Sequence, residues 1–145
     1  MTDAFYDRQL VLTIATPSCA AEDLGDEIVA LNVGTGVYVS IRETGVALWR
    51  DLASGYSVEQ LAALGRDLTG TDTSVHRFVA QVQEHGLMRA LSADPKQGTP
   101  TVGELFAAGR TNVVVEVYTD MKDLILSDPI HDVDEAVGWP APPKV

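Results

Sequence analysis

The chain has 145 residues, a hydrophobic share of 46% and a net charge of -11, which fits one packed domain with an appendage and excludes wholesale disorder. Its single cysteine, Cys19, excludes an internal disulfide and a cysteine-based metal cluster, and no apolar run approaches the ~20 residues that span a bilayer. Acids outnumber cations twelve to six in residues 1–90 and nine to four in residues 91–145, so neither half has the basic stripe that nucleic acid requires, and an anionic membrane surface repels both. The first residues, Met1 to Arg8, lack the regions of a signal peptide, and a cytoplasmic location is expected.

Residues 1–19 form an N-terminal arm whose apolar run, Leu10 to Ala15, suits either a strand or an extended segment. Ala20 to Leu24 suggests an irregular first strand, turned by Gly25-Asp26. In Ile28 to Val33 and again in Val37 to Ile41, apolar β-branched residues alternate with others at period two, and Gly34-Thr35-Gly36 joins the two runs as a hairpin. The period then changes to that of helices. Val46, Trp49, Leu52 and Ala53 make a first stripe that ends near Gly55. Ser57-Val-Glu-Gln60 is a capping box opening a second helix with Val58, Leu61, Ala62 and Leu68. Asp72 or Thr73 should cap a third, where Val75, Phe78, Val79 and Val82 share one face and Gly86 stops the helix.

Residues 91–101, with Asp94-Pro-Lys-Gln-Gly-Thr-Pro100, are a linker. The remaining residues, 102–145, are an acidic extension in which residues 112–118 are a strong strand candidate. A run such as Val113-Val-Val115 left exposed would be an aggregation-prone edge, so an ordered contact is expected for it. The span from Tyr118 to Glu135 places Leu124-Ile-Leu126 and Ile130 among acids, in the manner of a docking segment.

Catalytic chemistry is not signalled. His76 and His85 stand nine residues apart on one helix, not at the three- or four-residue spacing that lets two imidazoles share a metal. His131-Asp-Val-Asp-Glu135 has ligand types but lies among other acids with no second cluster to support it. Cys19 has no activating neighbour in sequence, and the Gly34–Gly36 turn joins two strands rather than a strand and a helix, so it is no phosphate loop. No enzyme, cofactor or metal is therefore expected. DNA reading is disfavoured too, because the third helix carries one arginine, Arg77, beside Glu84.

The fold expected is α+β and winged helix-turn-helix-like: a three-stranded antiparallel sheet on three helices over residues 20–90, plus the C-terminal extension. In order and spacing, Ile28 to Val33, Thr35-Gly-Val-Tyr38, Thr44-Gly-Val-Ala-Leu-Trp49, Ser57 to Leu61, and Phe78 through Gly86-Leu87 resemble the PqqD-like family. These are the RiPP recognition elements, which serve ribosomally made, post-translationally modified peptides. The resemblance implies a non-catalytic peptide chaperone that binds a precursor's leader peptide as an added strand and presents it to a peptide-modifying enzyme. It places the peptide along Val37, Tyr38, Val39, Ser40 and Ile41, with Val75, His76, Val79 and Gln83 of the third helix as the groove wall. A proline at Val39 should then remove a donor to the peptide. A second reading is a regulatory or assembly module whose groove holds its own tail or a neighbour's, the latter making a homodimer.

Overall fold

The computed structural model describes residues 10–119. Six strands and four helices follow in the order β1 (Val11–Ile14), β2 (Cys19–Asp23), β3 (Glu27–Asn32), β4 (Val37–Glu43), α1 (Thr44–Ser54), α2 (Val58–Thr69), α3 (Thr73–Glu84), β5 (Met88–Leu91), α4 (Val102–Ala107) and β6 (Val113–Tyr118). The class is α+β with antiparallel sheets, as expected, but the main sheet has four strands, in the order β2-β3-β4-β6. The fourth is the chain's own C-terminal strand. A separate two-stranded sheet pairs β1 with β5. Of the two readings of Leu10 to Ala15, the strand is the one adopted, and Val11 and Leu12 are buried.

The β3–β4 hairpin forms where the alternation placed it. Ile28 faces Ile41 and Ala30 faces Val39 across the ladder, and all four are fully buried against the helices. The β2 strand is regular rather than irregular, in unbroken register from Cys19 opposite Asn32 to Asp23 opposite Ile28. At the far end of β2 the Asp23 carboxylate takes two hydrogen bonds from the Arg50 guanidinium, each 2.7 Å. Those bonds hold Asp23 at a pKa of about 2, below its ordinary 3.8. Because the folded value is the lower one, the contribution of this clamp is fully present above pH 3.8 and fades as the pH falls through about 2.

Helix α2 opens with the capping box: the Gln60 amide donates to Ser57 Oγ at 3.1 Å, and the Ser57 amide donates to Gln60 Oε1 at 2.7 Å. Asp72 stands at the N-cap of α3, but its carboxylate does not cap. It binds Arg66 at 2.7 Å and lies 3.3 Å from His76. The Thr71 hydroxyl accepts the Thr73 amide instead, at 3.1 Å. An arginine within reach outcompetes a backbone amide, since a charge-assisted pair is the stronger bond.

Two contacts fasten the elements that follow the helical core. Asn32 Nδ2 donates to the His85 carbonyl at 2.9 Å, and a Cβ on Gly86 would lie 2.6 Å from that same nitrogen, so only glycine, here at φ +70°, lets the hairpin close on the end of α3. Asp51 is only 2% exposed, and its carboxylate accepts from the Thr101 amide (3.1 Å), the Thr101 hydroxyl (2.8 Å) and the Val102 amide (2.9 Å). An acid of α1 thereby satisfies the first amides of α4, the helix that leads into β6. Asp51→Ala should leave those donors unpaired in a buried site and lower stability by about 2–4 kcal/mol in a urea titration; a change under about 0.5 kcal/mol would show the contact to be incidental.

Candidate peptide interface

The outer edge of β4 is where an added strand is expected, and β6 lies along it. The pairing is antiparallel and runs from Tyr38 opposite Tyr118, through Ser40 opposite Glu116, to Glu43 opposite Val113. Beyond the ladder the Thr44 amide donates to the Asn112 carbonyl at 3.0 Å, and the Thr44 hydroxyl donates to the Arg110 carbonyl at 3.0 Å. Strand β6 also packs on α1 and α3, so it occupies the trough between the sheet edge and the third helix. A Cβ on Gly45 would come within 2.8 Å of Ile41 Cγ2 and 3.2 Å of Val113 Cγ1. Glycine at the start of α1 therefore lets β6 close on the sheet.

The side chains of the two strands are sorted by the pleat. Val39 and Ile41 are core residues, and across from them Val117 and Val115 share their face. Val113 and Val115 are half-buried against the core. On the opposite face the Tyr38 and Tyr118 rings lie 5.5 Å apart, and Arg42 Nη2 donates to Glu116 Oε1 at 2.5 Å. The Tyr118 hydroxyl donates to the same carboxylate at 3.1 Å, and that bond pushes the phenol's pKa up. Ser40 is buried, with its hydroxyl donated to Glu27 Oε2 at 2.5 Å.

Backbone direction follows from the ends of the ladder. Because the Thr44 amide points to β6 and successive residues alternate, the backbone groups of Arg42, Ser40 and Tyr38 also point to β6. The other side agrees: the Val33 amide donates to Ser18 at 2.9 Å and the Leu24 amide to Glu27 at 2.8 Å, which directs the backbone of Ile28 and Ala30 to β4 and that of Val39 and Ile41 back to β3. Val39→Pro thus removes a donor inside the hairpin, not one offered to a peptide. This corrects the expectation drawn from the sequence, in which the parity of an edge strand is not visible.

The α3 residues expected to form the wall are divided. Val75 and Val79 are buried core residues. Val79 also lines, with His76 and Gln83, a hollow of about 220 Å³ bounded by Leu10, Val58, Glu59 and Ala80, with no residue of β4 or β6 in its lining. The helix side nearer β6 holds Phe78, whose ring lies 3.7 Å from where a Gly45 Cβ would stand, beside Val113. The sequence reading missed Arg42, Gly45 and Thr44 as parts of the interface. Thr44 and Gly45 were visible as a motif, but a strand-to-helix junction reads equally as a cap.

Among the described residues no three His, Cys, Asp or Glu side chains gather to hold a metal ion. No helix there is long and apolar enough to cross a membrane. Cys19 is buried and its thiol is pushed up by that burial, away from nucleophilic chemistry. His131 to Glu135 and Leu124 to Ile130 lie outside the described residues.

The family model described as Coenzyme PQQ synthesis protein D (PqqD) matches residues 27–88. That segment is similar to the PqqD family. The match starts on the first residue of β3 and ends on the first residue of β5, so the PqqD segment contains the edge strand β4 and the helix α3. Strands β1, β2 and β6 and helix α4 lie outside the PqqD match. No curated protein and no solved structure matches the chain.

The assigned direction has a measurable consequence. Glu116 faces β4 with its backbone and Val117 faces away. Glu116→Pro should destabilise the β4–β6 ladder by about 2 kcal/mol more than Val117→Pro in urea unfolding. Equal losses for the two prolines would contradict the assignment.

Proposed function

We propose that this protein is a non-catalytic accessory factor for a ribosomally made peptide, and that it takes the precursor's leader as an antiparallel strand along β4 and presents the remainder to a modifying enzyme. The observation that carries this reading is the β6 pairing itself: a six-residue extended segment satisfies the β4 edge in full register. Main-chain bonds of that kind give affinity for any extended peptide, while side-chain neighbours supply selectivity. The PqqD match over the same strand and helix supports the biosynthetic setting.

The same observation supports a regulatory component. A leader reaches β4 only after β6 leaves, and a tethered strand competes at an effective concentration on the order of millimolar. The strand that the sequence offers equally to a neighbouring copy pairs here within its own chain, and on this reading the groove is self-closed. Holding a leader would then place the core peptide beside the enzyme's active site without chemistry here, by raising local concentration.

Isothermal titration of the full chain with leader peptides encoded by short reading frames beside its gene tests the reading. At least one leader should bind saturably, and adding the chain should speed modification of that precursor by its enzyme. Absence of binding by every such leader at concentrations up to about 1 mM would overturn it.

A further inference from the structure

Strand β6 is a sample of what the β4 edge accepts. Two of its three outer-face residues meet a chemically matched partner: Glu116 lies opposite Ser40 with its carboxylate on Arg42, and Tyr118 lies opposite Tyr38 with the rings 5.5 Å apart, while the third, Val114, lies opposite Arg42. Its core-face residues are all valine. Val113 touches the wall made by Gly45 and Phe78, where even one added carbon on Gly45 would crowd it, and Val115 is half-buried beside Ile41.

Resting on the strand-addition reading above, we infer that the peptide this edge selects carries the pattern of β6: valine or isoleucine at two alternate core-facing positions, one acid opposite Ser40 for Arg42, and an aromatic ring two residues further on for Tyr38. Strand β6 is its tethered competitor. The pattern departs from what net charge alone suggests. At -11 the chain repels an acidic peptide at long range, but over the short distance of a direct pair the local guanidinium decides the sign. The peptide thus carries one acid at one place and is neutral or basic elsewhere.

A fluorescently labelled synthetic peptide of residues 110–119 is the probe, and the full chain is the receptor, either native or with Glu116→Pro to vacate the edge. The vacated chain should bind the probe at least about tenfold more tightly than the native one, because it no longer competes with itself. A Glu116→Lys version of the probe should bind about fivefold more weakly, the modest factor suited to a pair whose side chains are 43% and 46% exposed. Adding Arg42→Glu to the chain should invert that preference. Should the vacated chain fail to fold, the native chain and its Arg42→Glu variant, titrated at higher probe concentration, carry the same charge test. Equal binding of the glutamate and lysine probes by both chains, or equal affinity of native and vacated chains, would overturn the inference. Leaders that bind without regard to the pattern would overturn the inference alone, whereas loss of all leader binding would overturn the strand-addition reading as well.

Discussion

An edge strand beside a helix has unpaired amides and carbonyls on one side, and the rest of this fold is arranged around what pairs with those of β4. Each buried backbone group without a partner costs on the order of 1–3 kcal/mol. Strand β6 meets that need from Tyr38 to Glu43, and the Thr44 amide and hydroxyl extend it by one more residue and a side chain. Strand β6, beyond the segment that matches the PqqD model, is thus part of the sheet, and the outer edge of β4 is filled from within.

The closing strand is reached through a fixed path. Asp51 caps α4 from the core, Tyr56 donates its hydroxyl to the Thr99 carbonyl at 3.2 Å, and the Lys96 ammonium lies 5.1 Å from the centre of the Tyr56 ring. These contacts pin residues 96–102 to the module and set β6 down beside β4 with little slack. By contrast the lateral contacts of β6 itself are modest: an exposed ion pair, a tilted ring pair and three half-buried valines. Such a strand is anchored firmly at its N-terminal end and held lightly toward Tyr118, the arrangement expected of an element that opens locally without the domain unfolding.

Much of this was legible in the sequence, and the limits are physical. The hairpin and the three core helices announce themselves because local periodicity and the Ser57–Gln60 box are satisfied within a few residues of chain. The strand at residues 112–118 was legible as a strand, and the hazard of exposing its valines argued for a partner. Its choice of partner was not fixed, since pairing with the own sheet, with a neighbour or with nothing all share one local pattern. The β1–β5 pairing joins segments about 75 residues apart in sequence, and four-residue strands carry too little alternation to disclose it. Asp51 reads as an ordinary helical acid, and only the fold brings α4 onto it. On α3 the wide apolar stripe does not disclose which flank faces β4, and in the fold His76 and Gln83 line a hollow with Leu10 and Glu59.

The central claim is that β4 has one outer edge and that β6 and an incoming peptide take turns on it. Residue-resolved hydrogen exchange on the full chain, free and with a bound leader, tests this most directly. The amides of Ser40 and Arg42, which point to that edge, should stay protected in both states, while those of Val114 and Glu116 should lose protection when the leader binds. A leader that binds while Val114 and Glu116 remain protected would contradict the account.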